Sequence, residues 1–306
     1  MEKEQIDTLN DMFLAAQKSI DIKKVKYDKD GVPRSSNFNK ELYSQIKNYL
    51  LQYGPSILYR YRSGNSWDID GLKNDTIWLS TLKEYNDPFE NRLCIDFEGV
   101  VDSYLKMDPQ VIAQMRLKHI DKNHPIYKEI IKDIKVRGKK LQESLSMKKL
   151  RIFTACFCEE KSSLLMWAHY ANSHKGFCIG YKFEDIIEKF GINILPVVYS
   201  KEYSAIQSYE TFIDYDRFFL EEWRSKSEEW SYEKEWRLVG GYHKNEPYQE
   251  GKIIGMVKPF CIYMGVNIDT KVRKQLLEIC KERGIKLFQM QLSEKSYRLL
   301  AYRLHD

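Results

Sequence analysis

Glu233 and Glu235 flank a single lysine in the run Trp230-Ser231-Tyr232-Glu233-Lys234-Glu235-Trp236-Arg237, with aromatic residues on either side. Read as a strand, the run alternates: Glu233, Glu235 and Arg237 share one face, and Tyr232, Lys234 and Trp236 the other. Like charges at adjacent positions on one face repel, and a buried carboxylate is costly unless paired. The plain reading is an exposed strand end whose acids are neutralised by Lys234 and Arg237. The chemical reading is a working carboxylate pair, and three further clusters bear on it.

The first is Tyr59-Arg60-Tyr61-Arg62 at the end of an apolar stretch. Arginine pairs bidentately with phosphate, and tyrosine stacks or hydrogen-bonds beside it. Alternation places Arg60 and Arg62 on one face, opposite Tyr59 and Tyr61; a half-exposed edge strand would look the same. The second runs from Ser80 to Glu90, where a strand ends and Asn86-Asp87-Pro88 makes a turn. Asn and Asp serve turns through their own backbone hydrogen bonds, which is the structural reading of Asn86. Phe89 would then anchor the loop, leaving Asp87 and Glu90 at the rim. The third is Leu164 to Gly176, a helical stripe of core type through Met166, Trp167 and Tyr170. His174-Lys175-Gly176 follows at the junction with the next strand. Functional residues favour such junctions, although a lone histidine there is more often structural. Glycine-rich phosphate loops, the Gly-x-Ser-x-Gly elbow and His-Glu-x-x-His are all absent from the sequence.

The elements that must position these residues can be read from periodicity. Residues 3–20 and 40–53 read as helices, joined by a polar stretch with a loop signature at Asp28–Pro33. Strands are expected at 57–62, 76–81, 151–158, 176–183, 194–199, 235–240, 260–264 and 285–291. Helices are expected within 108–150 and at 163–172, 184–190, 208–229 and 269–283, the last closed by Gly284. This predicts an α+β fold: a helical N-terminal extension over 1–55 and a core domain over 56–306 with a helical insertion at about 100–150. From Lys128 to Arg151 nine basic residues face three acidic ones, either a solvated face or an attractor of phosphates.

A hydrophobic share of 43% with 21 Tyr and 6 Trp supplies a sizeable core. The net charge of +5, from 49 basic and 44 acidic residues, is too mild for a histone-like nucleic-acid binder. The six cysteines, at 94, 156, 158, 178, 261 and 280, lack zinc spacing, so no metal site is expected. A charged start without an apolar run, and no stretch long enough to span a bilayer, point to a cytoplasmic protein with buried thiols and no membrane partner.

Taken in order, Leu58-Tyr59-Arg60-Tyr61, Ile77-Trp78-Leu79-Ser80, Asn86-Asp87-Pro88-Phe89-Glu90, Met166-Trp167-Ala168-His169-Tyr170, His174-Lys175-Gly176, Tyr232 to Arg237 and Ile262-Tyr263-Met264-Gly265 resemble a bacterial family catalogued as domain of unknown function 2971. The resemblance covers roughly residues 57–303. A more distant one is to the ADP-ribosyltransferase superfamily, in the order of basic strand, Ser-containing strand and late Glu-x-Glu. That resemblance implies a split β-sheet core with NAD, as substrate, in its cleft. Arg60 or Arg62 would steady the diphosphate or ribose, with Tyr59, Asn86 and His174 alongside, and Ser80 would support the nicotinamide side. Glu235 would hydrogen-bond the ribose hydroxyl, and Glu233 would orient an acceptor, protein or nucleic acid. Such activities suit bacterial toxins and antiviral (phage-defence) effectors. Ser80-Thr81 is shorter than the superfamily's Ser-Thr-Ser, and Asn-Asp-Pro-Phe-Glu has no counterpart there.

Three readings follow: an NAD-consuming enzyme; a nucleic-acid binder or processor with an acidic, metal-assisted site at Asp87, Glu90, Glu233 and Glu235; and a non-catalytic interaction module. They differ in what replacing Glu233 or Glu235 would do to turnover.

Overall fold

The computed structural model describes residues 1–18, 39–89, 94–107, 122–149, 152–203, 205–209, 212, 224–242 and 249–304. The expected loop at Asp28–Pro33, Glu90, Arg151 and most of the expected helix at 208–229 lie outside the described residues.

Two helices open the chain, α1 (Lys3–Lys18) and α2 (Lys40–Tyr53). Asn39 caps α2, its Oδ1 accepting from the amides of Glu41 and Leu42. Strand β1 (Ile57–Arg62) leads into α3 (Ser66–Asn74) and β2 (Thr76–Thr81), and the short β3 (Cys94–Ile95) precedes α4 (Phe97–Met107) and α5 (Pro125–Lys149). Then follow β4 (Ile152–Cys158), α6 (Leu164–Tyr170), β5 (Phe177–Lys182), α7 (Phe183–Phe190), β6 (Ile194–Pro196), β7 (Val198–Ser200), β8 (Ala205–Ile206) and β9 (Ser225–Ser227). A 3₁₀ segment, Glu228–Glu233, precedes β10 (Glu235–Tyr242); β11 (Gly251–Gly255), β12 (Cys261–Met264), α8 (Thr270–Arg283), β13 (Lys286–Leu292) and β14 (Leu299–Arg303) complete the chain. The architecture is α+β, built on a mixed ten-stranded sheet.

The arrangement around β4 positions the site. Along one edge, β10 pairs with β4 from Glu235–Cys158 to Tyr242–Ile152. The opposite edge receives two strands at its two ends: β1 at Tyr59–Cys158, and β2 at Ser80–Thr154 and Thr81–Phe153. Both meet the same edge, because Cys158 and Thr154 each already have a β10 partner on the other side. Among the described residues, β1 and β2 do not pair with each other; β1 pairs on its far side with β5, and β2 with β11. The sheet therefore forks, leaving a wedge beside Ala155–Phe157. Beyond β5 the sheet continues through β12, the parallel β13 and the edge strand β14, with α8 as the β12–β13 crossover.

Strand pairing fixes which side chains share a face. Leu58, Phe157, Trp236, Leu238, Leu79 and Tyr181 point to the main core, with residues of α1, α2, α7 and α8. Full burial of Trp236, Leu58 or Leu79 contributes roughly 1.5–3 kcal/mol each. The opposite face carries a smaller cluster of Tyr59, Tyr61, Cys158, Cys178 and Tyr263 beneath Met166 and Trp167 of α6. Helices α4 and α5 have a third core of their own, with Ile95, Val101, Tyr127, Ile134 and Ile206. Cys158, Cys178, Cys261 and Cys280 are buried; Cys94 and Cys156 are half-buried, and all six are free thiols. Among the described residues no helix is long and apolar enough to cross a membrane.

Three expectations change, the first being the strand at 194–199, which divides into β6 in the main sheet and β7 in a separate two-stranded sheet with β9. The segment before Glu235 is not a strand: it winds as 3₁₀ through Glu233, and Lys234 adopts a left-handed conformation (φ 43°) before β10 begins. Residues 225–227, expected within a helix, form β9, which pairs in parallel with β7. Tertiary pairing overrides helix propensity there.

Candidate functional site

A cavity of about 350 Å³ lies at the fork, lined by the middle of β4, the ends of β1 and β2, Tyr85 and Asn86, Met166 and Tyr170 of α6, and Lys226, Glu233 and Glu235. Of the residues singled out in the sequence, Tyr59, Arg60, Arg62, Ser80, Asn86, Glu233 and Glu235 all line it. His174 does not. Its imidazole stacks on Trp167 (centroids 6.3 Å apart, planes at 12°). Burial lowers its proton affinity.

The two carboxylates are joined by a cation that the sequence reading missed. The Lys226 ammonium donates to Glu233 Oε2 and, at 2.9 Å, to Glu235 Oε2. Arg237 Nε donates to Glu235 Oε1 at 2.8 Å, and its Nη2 reaches Oε2 at 3.3 Å. Tyr170 Oη donates to Glu233 Oε1 at 2.6 Å, and Asn86 Nδ2 donates to that hydroxyl at 3.5 Å. A continuous polar chain thus runs Asn86–Tyr170–Glu233–Lys226–Glu235–Arg237, and its four charged members are all buried. The exposed, Lys234-neutralised strand end is therefore replaced by a buried ring in which Lys226 holds the central place. Lys226 arrives on β9, so its role depends on the β7–β9 pairing. A basic Arg224-Ser225-Lys226 between the Glu221-Glu222 and Glu228-Glu229 pairs was the signal available in the sequence.

The two acids differ in state. Burial pushes the Glu235 carboxyl up, but Arg237 and then Lys226 outweigh it and hold the group well below the usual carboxylate range. At Glu233 burial dominates; Lys226 opposes it, Glu235 adds to it, and the proton affinity is raised. Burial lowers the proton affinity of Lys226, and the two glutamates more than reverse this, so it stays charged. Glu235 is thus held as an anion by two cations, while Glu233, whose oxygens accept from Lys226 and Tyr170, has a raised proton affinity. The neighbouring thiol of Cys156, beside Glu235 and 3.1 Å from Tyr85 Oη, is pushed up by burial and stays protonated. Cys158 is raised to about 12 by burial. Neither is an activated nucleophile.

Register separates the arginines from the acids. Cys158, Glu235, Tyr59, Arg237, Cys156, Thr154 and Ser80 share one face of the sheet, whereas Arg60 and Arg62 point to the other and meet the cavity at the gap. Arg60 Nη2 donates across the fork to the Trp78 carbonyl at 3.0 Å, an acceptor on the edge of β2 that faces the gap. Burial, then the charge of Arg62, lowers its proton affinity to about 10, so it remains a cation at neutral pH. Arg62 is bound by Asp68, Nε to Oδ1 at 2.6 Å. That carboxylate also accepts from Ser63 Oγ (2.9 Å) and the Gly64 amide (3.0 Å), closing the β1–α3 turn.

The His174-Lys175-Gly176 motif is explained by packing. Asn172, Ser173 and His174 are all left-handed (φ 50°, 52° and 66°), which reverses the chain from α6 into β5. A Cβ on Gly176 would lie 2.1 Å from the Arg62 carbonyl oxygen, so the close approach of β1 requires glycine. The His174 and Lys175 carbonyls accept from the amides of Asn267 and Asp269.

The space between the two glutamates, where a metal-assisted acidic site would place its ion, is filled by the Lys226 ammonium. Asp87 instead makes a turn, Oδ1 accepting from the Phe89 amide at 2.8 Å, and Glu90 lies outside the described residues. No match was found among curated proteins or among solved structures. The motifs of β1, β2 and β12 fall outside the one matched segment. Residues 166–238, which hold the Met166–Tyr170 helix, the Gly176 junction and the ring from Lys226 to Arg237, match the model of the family described as Protein of unknown function (DUF2971), as those motifs had indicated.

Proposed function

We propose that this chain is an NAD-consuming enzyme, transferring ADP-ribose to a macromolecule or hydrolysing NAD, in the manner of a bacterial toxin or phage-defence effector. The observation that carries the reading is Glu233: a carboxylate of raised proton affinity on the wall of a cavity at a fork in the sheet, oriented by Tyr170 and Lys226. A fork of this kind is compatible with the split sheet that the distant resemblance to ADP-ribosyltransferases implies. The cavity is of small-molecule size.

In this reading the bond between the anomeric carbon and the nicotinamide nitrogen breaks, and its electron pair leaves with neutral nicotinamide. Oxocarbenium character develops on the ribose, and a nearby carboxylate stabilises it. The incoming water or acceptor hydroxyl bonds to the anomeric carbon and yields its proton to Glu233. Arg60 supplies positive charge for the diphosphate, while Asp68 holds Arg62. Ser80, on the same sheet face as Glu235, would support the nicotinamide. Glu235 takes a positioning role: it fixes Lys226, which in turn fixes Glu233.

The test is nicotinamide release from NAD by the purified protein, with Glu233→Gln and Glu235→Gln as controls. Release by wild type and loss in folded Glu233→Gln is the expected result. A folded, NAD-inert wild type, with and without lysate or nucleic acid, would overturn the proposal.

A further inference from the structure

Helix α5 presents a feature that the cavity does not use. Lys128, Lys132, Lys135 and Lys139 occupy positions i, i+4, i+7 and i+11 and are all exposed. At 3.6 residues per turn they fall within about 60° of one another and form one straight row about 16 Å long. The buried residues Tyr127, Ile134 and Gly138 lie on a different side, against Ile95 and Phe97. Arg137 is on the far flank, paired with Asp133 at 2.8 Å. Of the other acids, Glu129 stands beside the first lysines and Glu143 one turn beyond Lys139. Among the described residues neither forms an ion pair with any of the four.

This row is unfavourable to the isolated helix. Like charges at i, i+4 destabilise by about 0.2–0.5 kcal/mol per pair, and Lys128 stands near an N-terminus whose first turn holds no acid to offset the helix dipole. The row also contains no aromatic side chain. Proteins that grip single strands stack bases on aromatic rings, so a bare lysine row suits the phosphates of a duplex.

We infer that the exposed lysine row of α5 is a sequence-independent docking surface for the phosphate backbone of double-stranded nucleic acid. The helical insertion, with its own small core, carries the row independently of the cavity chemistry. Each neutralised phosphate contributes about −0.9 to the slope of log K against log salt. Four lysines therefore predict a slope near −3.6, roughly a hundredfold loss of affinity between 50 and 200 mM salt.

The experiment measures binding of the full chain to a fluorescent 20-base-pair duplex across that salt range. It compares wild type, the double variant Lys132→Gln/Lys135→Gln, and a charge-matched control, Lys274→Gln/Lys281→Gln, on the exposed face of α8. These are surface changes, so all three chains are expected to fold. The expected result is a slope shallower by about 1.8 in the α5 variant alone, with affinity at low salt reduced roughly tenfold or more. No duplex binding by wild type, or equal loss in both variants, would overturn the inference. So would tighter binding to anionic phosphatidylserine vesicles than to the duplex.

Discussion

Replacing Lys226 with Met removes the cation between two buried carboxylates while keeping most of the side-chain volume. Arg237 still neutralises Glu235 through two hydrogen bonds, so the stranded charge is that of Glu233, 3% exposed and held only by the Tyr170 hydroxyl. Removing one partner of a buried ion pair costs about 3–5 kcal/mol, and that is the deficit expected at pH 8. The deficit has a definite pH dependence. Glu233 already has a raised proton affinity, and Lys226 is the main influence lowering it, so the variant raises it further. A carboxyl whose folded value lies above its unfolded one binds more protons when folded. Its contribution is full below the ordinary value of 4.5 and is lost as pH rises through the folded value. Stability of the variant should therefore fall with rising pH by about 1.4 kcal/mol per unit across that window. The deficit at pH 5.5 should accordingly be smaller than at pH 8. Urea denaturation followed by tryptophan fluorescence at both pH values measures it. Adding Glu233→Gln should recover most of the loss by leaving a neutral pair. A deficit below about 1 kcal/mol at pH 8, or one equal at both pH values, would refute the buried-ring account.

Glu235→Gln removes the carboxylate that bonds both Arg237 and Lys226 in a buried site and should destabilise by about 3 kcal/mol or more, whereas Glu233→Gln, at a carboxylate that meets Lys226 alone among the cations of the network, should cost about 1 kcal/mol or less; equal losses in thermal or urea unfolding would contradict the asymmetry between the two acids. Asp68→Ala releases Arg62, Ser63 Oγ and the Gly64 amide together and should cost about 2–4 kcal/mol by the same unfolding assay, with no rescue by added salt. A Cβ on Gly240 would sit 1.8 Å from Leu79 Cδ1, so Gly240→Ala should overpack the β10 bulge by about 1–3 kcal/mol. Wild-type stability after that substitution would show that the bulge has room to relax.

Strands set by alternating or continuous apolar runs were legible in the sequence: β1 and β2 fall on the expected residues, and β4, β5 and β13 within a residue at each end. Helix α8 was legible because Asp269 and Gly284 cap it with ordinary chemistry. The α3 helix was missed because its nine residues include Gly71 and depend on Asn65, whose side chain caps the Asp68 amide. Strands β11 and β14 were missed because both are short and partly exposed, at Ile253 and Gly255 and at Leu300, Tyr302 and Arg303, and are defined by their neighbours more than by their own composition. The acids of the site were visible as a charged run, but the lysine that organises them was not. Lys226 is brought in by a parallel pairing between two three-residue strands, and no local pattern encodes a contact of that kind.

Four buried charges of zero net sum are not the most stable way to fill this space. Hydrophobic residues of similar volume often do as well or better, because each ion must be stripped of water. The fold nevertheless places Lys226, Glu233, Glu235 and Arg237 where β1 and β2 part from β4, against a cavity. The two acids sit differently: Glu235 is held by two cations, whereas Glu233 has one oxygen on Lys226 and the other on the Tyr170 hydroxyl, and its proton affinity is raised. Environments that drive neighbouring acids apart are found at acid–base sites, and structural ion-pair networks shift proton affinities as well. The placement of this buried charged network on the wall of a small-molecule-sized cavity is therefore the geometric ground for testing Glu233 and Glu235 by substitution.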